Sequence, residues 1–109
     1  MVILWCIKTF GKNTRSKHPL RTYCSFDKRI TDYGYFFYDG ERKIVIFPHN
    51  IPNIRQFIGT ILHEYKHYLQ PVKGYGRKYF YSQDPQERQA NKFAEINLQK
   101  CWNYVKKEI

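Results

Sequence analysis

The segment from Asn53 to Gln70 constrains the fold more than any other part of this sequence. Its apolar residues recur at intervals of three and four, which is the spacing of one face of an α-helix. Asn53 can cap the first turn with Gln56 three residues on, and Pro71 cannot continue a helix. Gly59 interrupts the segment, and we expect it to mark a close helix–sheet contact. The sequence therefore predicts a helix here, with a broad core-facing side formed by Ile54, Phe57, Ile58, Ile61, Leu62, Tyr65 and Leu69.

The chain before this helix is predicted to form β-strands. Two β-rich runs, Tyr33–Tyr38 and Glu41–Phe47, flank an Asp-Gly pair, and this combination predicts a hairpin. Leu20–Phe26 alternates weakly and is predicted to be a further strand. The apolar stretch Met1–Ile7 lacks the basic segment and the cleavage site of a signal peptide. We therefore predict a strand over Val2–Thr9.

A second helix is predicted near the C-terminus. Asp84 is a suitable N-cap, Pro85 fits the first helical position and Glu87 lies three residues beyond the cap. The apolar stripe of this helix consists of Ala90, Phe93, Ala94, Cys101 and Val105. Strands followed by helices are typical of the α+β class. We expect a single α+β domain over residues 1–109, with antiparallel strands first, then the two helices.

Length and composition limit the classes of protein and partner. A chain of 109 residues is of single-domain size. Lys and Arg number 19 against 9 Asp and Glu, and the resulting net charge of +10 favours anionic partners such as nucleic acid or an acidic protein. No apolar run approaches the ~20 residues that span a bilayer, so no membrane partner is expected. The 3 cysteines form no C-x-x-C pair, which predicts a reducing compartment and a cytoplasmic protein.

The predicted first helix contains the sequence His63-Glu64-Tyr65-Lys66-His67, an H-E-x-x-H motif. Residues four apart lie one above the other on a helix face, so the two imidazoles can share one tetrahedral Zn²⁺. Glu64 is predicted to be the catalytic general base toward a metal-bound water. The motif is offset from the aliphatic side, so the helix can pack on a sheet and still present its ligands to a cleft.

A catalytic zinc ion needs a third protein ligand and an open position for water. Glu87 is the best candidate, because a helix–loop–helix return would bring it over the histidines. Asn91, one turn further, is expected to orient the Glu87 carboxylate. In the alternative interpretation, Glu87 belongs to a capping box with Asp84, and another residue binds the metal. The other candidate ligands are His18, His49 and Cys101. Iron or nickel would also suit two imidazoles and a carboxylate.

Two segments, H-E-x-x-H at 63–67 and E-x-x-A-N-x-F-A at 87–94, together resemble the gluzincin-type zincin metallopeptidases, and most closely the ImmA/IrrE-like family. The resemblance covers Ile58–Leu98. It implies a zincin fold and a cytoplasmic endopeptidase, often encoded by phages or mobile elements, that cleaves regulatory DNA-binding proteins. It also implies roles for individual residues, with Glu64 catalytic, Asn91 supporting the centre, and zinc bound by His63, His67 and Glu87.

The segment between the two predicted helices mixes aromatic and basic side chains, namely Tyr75, Arg77, Lys78, Tyr79 and Tyr81. Such interleaving suits contact with single-stranded nucleic acid or with a protein substrate. The alternative is a loop whose aromatic rings pack on the core and whose charges are solvated. The rival function is therefore a basic nucleic-acid-binding or inhibitory module on a zincin scaffold, with a structural or vestigial metal site.

A peptidase of this kind also needs an oxyanion donor and a surface that holds the substrate. Candidate donors are Tyr75, Tyr79, Tyr81 and His49. An extended substrate can add to an exposed sheet edge as a further strand. We expect the Glu41–Phe47 strand to be that edge.

Overall fold

Three helices and a three-stranded sheet make up the part of the chain that the computed structural model describes, residues 2–11, 19–38, 41–70 and 85–108. The helices are α1 (Val2–Phe10), α2 (Ile54–Leu69) and α3 (Pro85–Glu108), and the strands are β1 (Arg21–Cys24), β2 (Gly34–Tyr38) and β3 (Arg42–Ile46). A short 3-10 turn, Pro48–Asn50, leads from β3 toward α2. The predicted α+β class is confirmed.

The first element is a helix, so the strand predicted over Val2–Thr9 is wrong. Val2 and Cys6, one turn apart, are buried, which means that α1 packs with a helical stripe and not with alternate residues. Gly11 ends the helix with a positive φ of 83°, and its N–H donates to the carbonyl of Ile7 at 2.9 Å. The hydroxyl of Tyr65 donates to the carbonyl of Gly11, which ties the end of α1 to α2.

The strand order is β1-β3-β2. The predicted antiparallel pairing of the two runs is confirmed, with Phe36 of β2 opposite Ile44 of β3, while the Asp39-Gly40 pair lies outside the described residues. β1 lies within the predicted Leu20–Phe26 strand but pairs parallel with β3, so the expectation of antiparallel strands alone is wrong. The expectation that Glu41–Phe47 offers a free edge is also wrong, since β3 has a neighbour on each side. Within the described residues, the edge strands are β1 and β2.

Helix α2 lies between the sheet and α3, and α1 contacts both α2 and α3. Its predicted caps are confirmed: the Asn53 side chain accepts the N–H of Gln56 at 2.9 Å, and Gln70 follows the last turn. The aliphatic side of α2 meets the helix-facing residues of β2 and β3 in one core that includes Phe36, Ile44, Ile58, Leu62 and Tyr65. This packing fixes the direction in which the opposite, polar side of α2 points.

The close approach of helix and sheet occurs at Gly34 and not at Gly59, which corrects the expectation from sequence. A Cβ on Gly34 would lie 2.8 Å from the carbonyl oxygen of Val45 and 3.1 Å from Cγ2 of Thr60. A Cβ on Gly59 would meet nothing within 4 Å. Gly34 therefore lets β2 begin directly against α2, whereas Gly59 keeps space open beside the helix.

Helix α3 buries Ala90, Cys101 and Val105, three members of its predicted apolar stripe. The stripe also contains a buried polar residue, Asn97, whose side-chain amide donates to the carbonyl of Phe93 at 2.9 Å. Asp84, the predicted N-cap, lies outside the described residues. No helix among the described residues is long and apolar enough to cross a membrane.

Candidate metal centre

The two histidines of the H-E-x-x-H motif lie on adjacent turns of α2 with their rings together. The Nε2 atoms of His63 and His67 are 3.2 Å apart. His67 is 1% exposed, while the His63 side chain is 17% exposed and borders a cleft. The two rings share one helix face, as the spacing of the motif predicts, and the core packing of α2 directs that face toward α3.

The first turn of α3 brings Glu87 against both rings. Oε1 of Glu87 lies 2.9 Å from Nε2 of His63, and Oε2 lies 2.8 Å from Nε2 of His67. The ligand atoms of these three residues all lie within 4.8 Å of one another. The carboxylate is therefore directed at the histidines, although Glu87 is twenty positions from His67 in sequence. In the described part of the chain, this is the group of His, Cys, Asp and Glu side chains that could hold a metal ion.

The spacing and chemistry of these donors fit zinc. With Zn–N and Zn–O distances of about 2.0–2.1 Å, the edges of a ligand tetrahedron are about 3.3 Å long. The separation of 3.2 Å between the Nε2 atoms of the two histidines is close to that length, and one ligand atom from each of the three residues lies within 4.8 Å of the others. Two neutral imidazoles and one carboxylate are also a donor set that catalytic zinc sites use with one position left open. The residues present therefore match a three-ligand centre.

Glu64 lies beside this cluster with its carboxyl group buried. The residue is 6% exposed, and its carboxylate accepts a hydrogen bond from the backbone N–H of Phe36 in β2. Burial raises the pKa of Glu64 to about 7, and the nearby charges of His63 and His67 only partly oppose this effect. A carboxyl group in such a position can take up and release a proton near neutral pH.

The charges within the cluster are strongly coupled. Burial lowers the pKa of His63, but the hydrogen bond to Glu87, the negative charges nearby and a hydrogen bond to Asn91 outweigh it, so the pKa lies above its ordinary value. Burial raises the pKa of Glu87, but its bonds to the two histidines dominate and hold that pKa at about 2. Asn91 thus lies at the site as predicted, but it contacts the His63 ring.

Gln70 is a further residue of the site, which sequence reasoning missed. Its Oε1 lies 2.7 Å from Nδ1 of His67, and its Nε2 donates to the carbonyl of Gln86 at 2.9 Å. The sequence predicts only that the helix ends at Gln70. Its position three residues after His67, on the same side of the helix, is the signal that could have identified it.

A cleft of about 620 Å³ opens beside the cluster. It follows α2 from Glu64 back to Asn53, with α3 along one side and the start of β2 along the other. Small or apolar residues, including Gly59, Ala94 and Leu98, form part of its wall. Glu64 lies eleven positions after Asn53, which corresponds to about 16 Å of helix and leaves room for about five residues of extended peptide.

Among the described residues, the edge of β2 that does not pair with β3 faces this cleft. The N–H of Phe47 donates to the carbonyl of Tyr33 at 2.8 Å, and hydrogen-bonded pairs alternate along an antiparallel ladder. The backbone groups of Gly34 and Phe36 therefore turn away from β3. The hydrogen bond from the Phe36 N–H to Glu64 agrees with this geometry, and it places the edge of β2 next to the metal cluster.

The two alternative ligands that the structure describes, His49 and Cys101, are not brought to the cluster. His49 lies in the turn after β3 with its ring near those of Phe26 and Phe47. Cys101 is buried in the core, and this burial raises the pKa of its thiol to about 11, which disfavours the thiolate that binds metals. His18 lies outside the described residues. The predicted loop contacts also lie outside them, namely Tyr75, Arg77, Lys78, Tyr79 and Tyr81.

Comparison of the chain with family models, with curated proteins and with solved structures found no match.

Proposed function

We propose that this protein is a zinc-dependent endopeptidase that hydrolyses peptide bonds of a protein partner, with Glu64 as the general base. The observation that carries the proposal is the convergence of His63, His67 and Glu87 from two helices beside the buried Glu64 carboxyl group. A single buried histidine pair could be structural. A three-donor set that borders an open cleft and has its own proton acceptor is the arrangement that hydrolysis requires.

Each residue of the site has a distinct task in this reaction. His63, His67 and Glu87 would hold zinc, which when bound polarises a carbonyl group and makes water more acidic. Glu64 accepts the proton from the attacking water and then gives it to the leaving amine. The N–H of Phe36 holds the Glu64 carboxylate at the edge of β2. Asn91 keeps the His63 ring in place from the side of α3.

The substrate would lie in the cleft as an extended strand along β2. Gly34 presents its backbone N–H and carbonyl toward the cleft, and the missing side chain at Gly59 leaves room for the peptide. This edge replaces the Glu41–Phe47 edge expected from sequence.

N-methylation of alternate amides in a cleaved peptide should reduce cleavage at the positions that pair with Gly34. Equal cleavage of all such methylated peptides would contradict strand addition.

The proposed family is that of the gluzincin-type zincins, with the ImmA/IrrE-like proteins as the nearest resemblance. The α+β architecture, with a motif helix packed on a sheet and a ligand on the following helix, supports it. A regulatory or DNA-associated protein is the proposed substrate, and the net charge of +10 favours an acidic partner or one carried on nucleic acid. The three free cysteines support a cytoplasmic, reducing location.

A cleavage assay against a peptide library tests the proposed activity. Zinc-loaded wild-type protein and Glu64→Gln are each incubated with peptides of diverse sequence, and new termini are identified by mass spectrometry. We expect cleavage by the wild type and none by Glu64→Gln, with equal zinc content in both. Glu108→Gln, at the distant end of α3, is the matched control and should cleave like the wild type. Equal cleavage by Glu64→Gln would remove Glu64 from the reaction.

A further inference from the structure

Gln70 connects the two helices that supply the proposed metal ligands. It is 4% exposed and lies immediately after the last turn of α2. Its Oε1 contacts Nδ1 of His67 at 2.7 Å, and its Nε2 donates to the carbonyl of Gln86 at 2.9 Å and to Oε1 of Gln89 at 3.1 Å. One side-chain amide thus reaches a histidine of α2 and the first turn of α3, which carries Glu87.

These contacts fix the orientation of the Gln70 amide. The backbone carbonyl of Gln86 can only accept a hydrogen bond, so the amide must turn its Nε2 toward that carbonyl. Its Oε1, which can also only accept, then faces His67. It follows that Nδ1 of His67 carries a proton and donates it to Gln70. The other ring nitrogen, Nε2, is the one that faces His63 and Glu87.

We propose that Gln70 is a positioning residue for the metal centre. It holds His67 with a proton on Nδ1, so that Nε2 is the nitrogen offered to the metal, and it holds the first turn of α3 at the distance from which Glu87 reaches both histidines. The part of this inference that concerns the metal rests on the proposed function. The part that concerns the proton on His67 is a property of the metal-free chain.

Nitrogen NMR of the His67 ring in the metal-free protein tests the first part. In the wild type, Nδ1 of His67 should report as protonated. In Gln70→Leu, which removes the acceptor while leaving Glu87 beside Nε2, Nδ1 should lose its proton, and the proton that remains on the ring should be on Nε2. Gln70→Glu keeps an acceptor for Nδ1 and loses the donor to Gln86, so its His67 ring should resemble that of the wild type.

Zinc affinity, measured by competition with a chelator, tests the second part. Gln70→Leu should bind zinc about 10–100-fold more weakly than the wild type, the usual effect of removing a partner of a ligating histidine. Gln70→Glu should lose less, since it still orients the ring. Gln89→Leu is the matched control: it removes one partner of the Gln70 amide but leaves Gln86 and His67 in contact with it. This variant should keep wild-type affinity and the wild-type ring proton.

Two results would overturn the inference. One is a wild-type spectrum in which Nδ1 of His67 carries no proton. The other is a folded Gln70→Leu protein with wild-type zinc affinity. If Gln70→Leu does not fold, the wild-type spectrum decides the part that concerns the ring proton. The part that concerns the metal is then decided by zinc affinity: Gln70→Glu should bind zinc more weakly than Gln89→Leu, and equal affinities would contradict it. If the wild type takes up no zinc, the proposed function fails, while the spectra of the metal-free chain still test the role of Gln70.

Discussion

The two sides of helix α2 are both buried, but they contribute to the molecule in different ways. Ile58 and Leu62 on the aliphatic side are at most 1% exposed and pack against the sheet. On the other side, Glu64 and His67 are 6% and 1% exposed, and each is held by polar partners. Apolar packing stabilises the fold at any pH, whereas the polar side depends on protons and, in our proposal, on zinc. The aliphatic side of α2 therefore mainly stabilises the fold, whereas its polar side forms the proposed metal centre.

Truncation of the aliphatic side should have the largest effect on stability. Leu62→Ala removes a fully buried side chain from the core and should lower the free energy of unfolding by about 2–5 kcal/mol. Urea denaturation followed by circular dichroism measures this loss. Under conditions where the variant is folded, its zinc affinity should equal that of the wild type. A large loss of affinity in folded Leu62→Ala would mean that the two sides of α2 are not separable.

Removal of the buried Glu64 charge should stabilise the metal-free protein at alkaline pH. The folded-state pKa of about 7 lies above the ordinary value of 4.5, so the contribution of Glu64 to stability is complete below pH 4.5 and is lost as the pH rises through 7. Glu64→Gln does not undergo this loss. We expect it to be more stable than the wild type by about 2–3 kcal/mol at pH 8 and equally stable at pH 4. Denaturation in the presence of a chelator at both values tests this, and equal stability at pH 8 would contradict it.

Loss of the Glu87 charge should destabilise the metal-free protein, which is the opposite of the effect expected for Glu64. Its folded-state pKa of about 2 lies below the ordinary 4.5, so its contribution is present above pH 4.5 and is lost as the pH falls through 2. The pKa of its partner His63 is raised, so that part of the pairing is lost as the pH rises above 6.5. Glu87→Gln should therefore destabilise the metal-free protein most between pH 4.5 and 6.5, by roughly 2 kcal/mol.

The same denaturation series, run with chelator at pH 3, 5.5 and 9, measures the effect of Glu87→Gln. The difference from the wild type should be largest at pH 5.5. A difference that does not change with pH would show that Glu87 acts through packing alone, and it would remove the contrast with Glu64.

The smallest expected effects on stability are those of substitutions at the two glycines near the cleft, and they should differ in sign. Gly59→Ala adds a Cβ into open space within a helix and should raise the free energy of unfolding by up to about 1 kcal/mol. Gly34→Ala would place its Cβ 2.8 Å from a carbonyl oxygen, so we expect it to destabilise the protein. Thermal unfolding of both variants tests this pair. A destabilised Gly59→Ala would show that the space beside α2 is not open.

The motif helix could be predicted almost completely from the sequence. Its cap at Asn53, its end before Pro71 and its apolar spacing are local signals, and the structure confirms them except at Ile54, which was expected in the core but is 47% exposed. The placement of Glu87 beside His63 and His67 also agrees with expectation. It follows from the return of the chain after α2, together with the first-turn position of Glu87 in α3.

The errors concern features that local sequence does not determine. The run at Val2–Ile7 is short and apolar throughout, so its spacing could not distinguish a helix from a buried strand. The order β1-β3-β2 depends on the path by which the chain brings β1 and β3 side by side in the parallel direction. Nothing within Glu41–Phe47 indicates that this strand would be the central one. The three-residue spacing from His67 to Gln70 is a local signal, but the contact of Gln70 with Gln86, sixteen residues away, is not.

The metal content of the purified protein tests the central claim most directly. Elemental analysis after reconstitution with zinc is applied to the wild type and to His63→Ala, His67→Ala and Glu87→Ala, each shown to be folded. We predict one zinc ion per chain in the wild type and its loss in all three variants, because the three donors converge on one point. A wild type that takes up no zinc, or a Glu87→Ala variant that retains it, would contradict the three-ligand centre.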